Sequence, residues 1–426
     1  MRVILAACLA AALATTGTCA AAAPRAVHDA LGRIAAEADT DALAARFEAL
    51  WGLDAEVPVV LHAPDAGAWW QPPGRGAPER FALRDDQPVA NTCLDADAEP
   101  RVLLMLPLPE SPEALAALVW HERWHCVQSR LGLAGREADN AHLATEAGRT
   151  WLRLELRALA RALAADDEHA ARRAAGEALA FRARRSKAGE LGTGELREEA
   201  RVERNEGLAE YTGRKVAAAN PVPSMLEALR AADGADSYLR SAAYATGPAY
   251  GLLLDRWAPG WRRQRGEALD LSVALAEALG AGGPPIDAGS AGAAYGLAAV
   301  RAEESRRAAE ARKKHAAYLA RFVTGDVLEL PLRTPSVSFD PRTLFALGEH
   351  GTVYAPITVR DAWGELVAGD GALMASDWSR IGIGAGGVAG EGASWRGPGW
   401  TLTLAEGWML DRTPDGHWTL RAPEHQ

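Results

Sequence analysis

His121-Glu122-Arg123-Trp124-His125 and, further along, Asn205-Glu206-Gly207-Leu208-Ala209-Glu210-Tyr211-Thr212-Gly213 are the two stretches on which the reading of this chain turns. On an α-helix, residues four apart share a face, so the imidazoles of His121 and His125 can converge on one ion. Glu122 then flanks the open side of that ion, where a water would bind. The bland reading is a helix with two ordinary histidines. The surroundings argue against it, because the motif follows a strand, a capped helix start and the apolar approach Leu115, Leu118 and Val119. Two imidazoles do not complete a catalytic zinc site, which takes three protein ligands and keeps a fourth place open. Glu206 is the candidate third ligand, and Glu210, one turn on, is placed to accept a hydrogen bond from a ligand histidine. A Glu-x-x-x-Glu pair on an acidic helix is more often a solvated face. Here small and apolar residues separate the two acids, which predicts burial, and a buried acid pair calls for a cation.

Outward from these motifs, residues 57–64 and 101–108 are short β-branched and Leu-rich runs that read as strands. Residues 65–80, rich in Gly and Pro and carrying Trp69 and Trp70, read as a loop. Ser111-Pro112-Glu113 is a helix start: an N-cap, a proline in the first turn, then an acid at the positive end of the dipole. The helix it opens is expected to run through the His-Glu motif to about Leu131, ahead of Gly132. Residues 142–187 read as an Ala-rich helical hairpin broken near Asp166-Asp167, with Gly189, Gly192 and Gly194 after it. Glu195 to Lys215 reads as one helix closing near Gly213. Further helices are expected over 223–233, 237–257 and 266–279, and a charged, solvated one over Arg301 to Arg321. The basic cluster Arg182, Arg184, Arg185 and Lys187 is expected to pair with acids of 195–206 or to face water. Trp120 and Trp124 are expected in the core.

Beyond Val323 the pattern changes to short alternating runs with turns at Asp370-Gly371 and Asp415-Gly416, and six of the 14 Trp lie at or beyond position 363. The expected class is therefore α+β. A mainly helical domain over 23–322 carries a small N-terminal strand region and the hairpin 142–187 as an insert, and an all-β domain over 323–426 follows it.

The chain has 426 residues, with 46 Lys plus Arg against 56 Asp plus Glu, a net charge of −10. That balance argues against a dedicated nucleic-acid binder. With 48% hydrophobic and 24% charged residues, the composition is that of a globular protein. Arg2, the apolar run Val3 to Ala14 and the small residues that follow have the order of an export signal, cut after Ala22. The expectation is a secreted or periplasmic protein with residues 1–22 removed. Thr16-Gly17-Thr18 before Cys19 matches the lipoprotein pattern poorly, Leu5-Ala6-Ala7-Cys8 fits its spelling better but leaves almost no apolar stretch ahead of it, and a lipid anchor is the minor alternative. No later run is apolar for the ~18 residues a membrane span needs. Cys93 and Cys126 remain, either as a disulfide or as two separate buried thiols.

The pair HERWH and NEGLAEYTG resembles the gluzincin metallopeptidases, in which His-Glu-x-x-His is completed by a Glu on a later helix and a second acid follows four residues on. Residues 244–251, Tyr-Ala-Thr-Gly-Pro-Ala-Tyr-Gly, resemble the Tyr-x-x-Gly helix start of gluzincin aminopeptidases and their relatives. The resemblance implies Zn²⁺ on His121, His125 and Glu206, and Glu122 as general base. It also implies Glu210 behind a ligand histidine and Tyr244 as the donor to the tetrahedral intermediate. Tyr211 is the rival for that last role. The chain departs from the pattern in two respects. His125 and Glu206 stand 81 positions apart, far more than in many gluzincins, with the helical hairpin as the insert. No Gly-Ala-Met-Glu-Asn-type strand precedes the motif, so exopeptidase specificity is not implied.

The expected function is thus a zinc-dependent peptidase acting on a peptide or protein substrate. Two other classes stay open. One is a non-proteolytic protein that docks on another protein or a glycan through the Trp-rich β domain. The other is a zinc hydrolase of non-peptide amides or esters.

Overall fold

The computed structural model describes residues 23–72, 76–84, 87, 89–96, 99–134, 140–187, 194–280, 286–340 and 343–423. The expected export signal, with Cys8 and Cys19, and the glycines 189 and 192 lie outside the described residues. The class is α+β, and the chain divides into two compact units between Arg301 and Ala302. The charged helix expected over 301–321 spans Leu297–Phe322 and is largely exposed, so the division falls near its start rather than at its end.

The first unit opens with two helices that were not assigned from sequence, α1 (Arg25–Arg33), which runs on into a π-helical turn Ile34–Ala38, and α2 (Asp41–Trp51). Val27, Leu31, Ile34, Leu43, Phe47 and Trp51 put one face of this segment into the core. A five-stranded sheet follows: β1 (Val59–Ala63), β2 (Gly67–Trp70), β3 (Glu79–Arg80), β4 (Thr92–Ala96) and β5 (Glu99–Met105), in the order β3-β2-β1-β5-β4. β1 and β5 run parallel, Val59 opposite Val102, and the other neighbours run antiparallel. The loop expected over 65–80 is partly strand. Gly67, at φ +72°, turns the chain sharply back, and β2 buries Trp69 in the core.

Helix α3 (Pro112–Val127) begins as expected, with the Ser111 hydroxyl accepting from the Ala114 N–H at 3.1 Å. It closes through a 3₁₀ turn, Gln128–Leu131, and a left-handed Gly132. The open question of the two cysteines is answered by a disulfide: Cys93 on the sheet's edge strand β4 is bonded to Cys126 on α3.

The hairpin breaks where expected, into α4 (Glu146–Ala164) and α5 (Glu168–Lys187). The next segment differs from the single helix expected over 195–215. It is α6 (Gly194–Val202), a π-helical turn over Glu203–Gly207, and α7 (Leu208–Ala217). Then come α8 (Val222–Ala232), α9 (Ala243–Trp257) and α10 (Leu271–Leu279). Two of these start later than expected. The Tyr238 hydroxyl bonds to Ala232 O and Gly234 N and holds the preceding segment as turns, and Asp270 caps α10 by accepting from the Ser272 and Val273 N–H groups.

The second unit pairs its strands antiparallel throughout, in a six-stranded sheet, a five-stranded sheet and a two-stranded ribbon. One core holds Leu328 and Ile381 from the five-stranded sheet with Val359 and Leu402 from the six-stranded one. Trp363 and Trp400 are buried in that core, whereas Trp378 is 43% exposed. Among the described residues no helix is long and apolar enough to cross a membrane.

The Cys93–Cys126 bond closes a loop with a sequence separation of 33. Loop-closure entropy puts its removal at about 3.5 kcal/mol. The double variant C93S/C126S is expected to lose about that much in denaturant titration; unchanged stability would show that the bond contributes nothing to holding β4 on α3.

Candidate metal centre

The site is assembled by anchoring the back of α3 and bringing two other segments into close backbone contact. On the back face, the Trp120 indole N–H donates to Ala38 O at 2.9 Å, and Trp124 packs on Trp51 with ring centroids 4.3 Å apart. Arg123 lies over Trp120, pairs with Asp39 at 2.8 Å and donates to Val57 O. These contacts fix the rotation of α3, so that the opposite side presents His121, Glu122 and His125. Helix α7 crosses that side at Gly213, where a Cβ would collide with the carbonyl oxygen of Ala117. Helix α9 crosses the π turn in the same way, Gly247 against Gly207, with no room for a Cβ on either.

The result is a cluster of three donor atoms. His121 Nε2 and His125 Nε2 lie 3.2 Å apart, and the Glu206 Oε2 atom lies 3.7 Å from the first and 3.5 Å from the second. A circle through those three atoms has a radius of ~2.0 Å, the length of a Zn–N or Zn–O bond. Among the described residues this is the one group of three or more His, Cys, Asp or Glu placed to hold a metal. Two imidazole nitrogens and a carboxylate oxygen suit Zn²⁺.

Each donor is held by a partner. Glu210 Oε2 sits 3.1 Å from His121 Nδ1, and its other oxygen pairs with Arg214 at 2.7 Å. His125 Nδ1 meets the Gln128 side-chain amide at 3.3 Å, and that amide bonds to Asn205 at 2.9 Å. Glu206 Oε1 accepts from Arg240 at 2.7 Å and from Asn205 at 3.2 Å, and Glu206 Oε2 accepts from the Tyr244 hydroxyl. The electrostatics follow from this packing. Burial opposes charge on His121, yet its bonds to Glu206 and Glu210 outweigh burial and raise its pKa to about 9. Burial likewise disfavours charge on Glu206, but His121, His125, Tyr244 and Arg240 hold its pKa far below the usual carboxylate range. The two shifts have one cause: a carboxylate of low pKa faces an imidazole whose positive form it favours.

Glu122 is different. Its side chain is buried, and it has no hydrogen-bond partner among the described residues. Burial pushes its pKa up, against the pull of His121 and His125. It lines, with His121, Glu210 and Tyr244, a cavity of about 780 Å³ whose walls include Glu113 and Arg214. An uncommitted carboxylate beside the donor cluster and open to a cavity is placed to take a proton. The Tyr244 ring stacks on His121 with centroids 5.7 Å apart. Burial and the neighbouring Glu206 raise the Tyr244 pKa, so the hydroxyl keeps its proton to donate. Tyr211 does not line the cavity; its hydroxyl is committed to Asp255 at 2.9 Å and to Arg262.

Four members of this environment were not read from sequence. Gln128 stands three residues after His125 and Asn205 beside Glu206, so helical spacing carried a signal for both. Arg214 stands four after Glu210 on the same helix and carried the same signal. Arg240 lies in the turns before α9, and nothing in its spacing marked it.

The glycine crossing is open to test. Gly213→Ala places a methyl on Ala117 O and should cost about 3 kcal/mol in thermal or denaturant unfolding. Gly32→Ala in α1, where a Cβ meets nothing within 4 Å, serves as the control. It should be neutral or stabilising by up to about 1 kcal/mol. Equal effects at the two positions would contradict the close approach of α7 to α3. Compared with family models, with curated proteins and with solved structures, the chain finds no match.

Proposed function

We propose that the chain is an exported zinc-dependent peptidase of gluzincin type, acting on a peptide or protein substrate in the cavity above His121 and Glu122. The observation that carries this reading is the triangle of His121 Nε2, His125 Nε2 and Glu206 Oε2, whose edges of 3.2, 3.5 and 3.7 Å match ligands sharing one small divalent ion. Bound there, Zn²⁺ would supply Lewis acidity and bring the pKa of water towards ~7.

The chain's own groups do the rest. Glu122 accepts the proton of the attacking water and returns it to the leaving amine. Its raised pKa and lack of a competing partner suit both halves of that task. The Tyr244 hydroxyl, in the wall of the same cavity, turns from Glu206 to donate to the oxyanion as charge develops there, a contribution of ~3 kcal/mol for one good donor. Glu210 orients the His121 ring and favours its proton on Nδ1, leaving Nε2 free to bind a metal. The Cys93–Cys126 disulfide fits an oxidising compartment, which supports export.

Glu122→Gln separates this reading from its rivals. The variant should keep wild-type zinc content and lose hydrolysis of casein or a peptide library by roughly 10²–10⁴-fold. Hydrolysis equal to wild type would remove Glu122 from the mechanism, and zinc without any turnover in the wild type would favour a binding protein. Tyr244→Phe should lower kcat by about 10²-fold; an unchanged kcat would move the donor's role elsewhere.

A further inference from the structure

The hairpin of α4 and α5 lines none of the cavity, yet it delivers charge into the interior beside the ligand turn. Arg182 and Arg185 on α5 are 2% and 1% exposed, and their partners Glu155, Glu199 and Glu203 are 0%, 6% and 2% exposed. Arg182 grips Glu203 with both guanidinium nitrogens, at 2.7 and 2.9 Å. Arg185 pairs with Glu155 and Glu199. The Tyr250 hydroxyl and His142 Nε2 complete the set, each 2.6 Å from a carboxylate.

Charges buried on this scale are not explained by stability, because well-packed apolar residues of the same volume hold a fold together as well or better. What a fork of two parallel N–H···O bonds adds is direction. The direction falls on a particular place. Glu203 opens the π-helical turn Glu203–Gly207, and Glu206 is the fourth residue of that turn. A turn of this kind interrupts the regular i→i+4 ladder of the helix with i→i+5 bonds. Here it is gripped from two sides. Arg182 holds Glu203 from α5, and Thr246 on α9 donates to the same carboxylate at 2.6 Å. Two residues before Thr246, Tyr244 holds Glu206. The Gly207–Gly247 contact sets the depth at which α9 and the turn meet.

We propose that Arg182 is a positioning residue for the metal centre. Through Glu203 it sets the turn that carries Glu206, so the α4–α5 hairpin belongs to the machinery of the site rather than being an inert insertion. The inference rests on the zinc-peptidase reading and deepens it.

The test uses the full chain and the paired variant R182M/E203M. It removes one positive and one negative charge together. Arg182 also lies 3.4 Å from Glu155 and 3.6 Å from Glu199, but Glu155 keeps Arg185 and Tyr250, Glu199 keeps Arg185 and His142, and Thr246 keeps its bond to Ala242 O, so no buried charge is left alone. Zinc affinity is read by competition with a chromophoric chelator, and folding by the melting temperature of the metal-free protein. The double variant should melt close to wild type yet bind zinc about tenfold or more weakly, the usual loss when a group behind a ligand is removed. Wild-type zinc affinity in the double variant overturns the proposal. A wild-type chain that takes up no zinc overturns the proposed function and this inference with it. Should the double variant fail to fold, R182K carries the test, because it keeps the positive charge and removes the two-pronged grip on Glu203. Several-fold weaker zinc binding supports the proposal, and unchanged binding overturns it.

Discussion

The centre depends on how closely backbones can approach. Helices normally pack with their axes about 8–10 Å apart because side chains stand between them. Gly213 lets α7 rest against the carbonyl of Ala117, and the Gly207–Gly247 contact does the same for the π turn and α9. With ordinary side chains at those crossings, the Glu206 carboxylate would stand further from the two imidazoles, beyond the span of one ion. The same crossings bring Glu210 onto His121 and Tyr244 onto Glu206. A steric fact at two points therefore decides the electrostatics of the whole cluster.

Those electrostatics are dominated by acids. Glu122, Glu206 and Glu210 all lie within the reach of His121, and among the described residues Arg214 and Arg240 answer them from nearby. Glu206 and Glu210, bonded to His121, and the charge of Glu122 nearby favour its positive form against burial. Glu122 stands apart from this, because it makes no bond to the histidines and retains an acid strength weakened by burial. On the proposed reading, Glu206 would hold the cation, Glu210 would orient its His121 ligand, and Glu122 would be left free for proton transfer. That division of labour is what hydrolysis by an activated water requires.

Much of this was legible in the residues. Helical spacing places His121 with His125, and the small apolar residues between Glu206 and Glu210 foretell burial; the structure brings all four together. The Ser111 cap and the break near Asp166 also fall where local chemistry puts them. What escaped is what depends on distant partners. The apolar faces of α1 and α2 stand at helical spacing, but it is packing in the core that fixes them. No residue pattern announces a π turn, since it arises from the fit of Glu203–Gly207 between α5 and α9. Arg182 and Arg185 do pair with acids of the following helix, as expected. Their burial follows from Glu155 on α4, a partner that no local reading supplies. The resemblance directs Tyr244 to the oxyanion, whereas its bond to Glu206 depends on where α9 packs.

The most direct measurement of the central claim is X-ray absorption at the zinc edge, on the full chain loaded with one equivalent of zinc. The account predicts only nitrogen and oxygen neighbours at ~2.0–2.1 Å, with the outer-shell scattering of two imidazole rings and an oxygen in the inner shell. No sulfur belongs in that shell, because the nearby Cys126 is bonded to Cys93. A sulfur shell near ~2.3 Å, fewer than two imidazoles, or failure of the chain to take up zinc at all would contradict it.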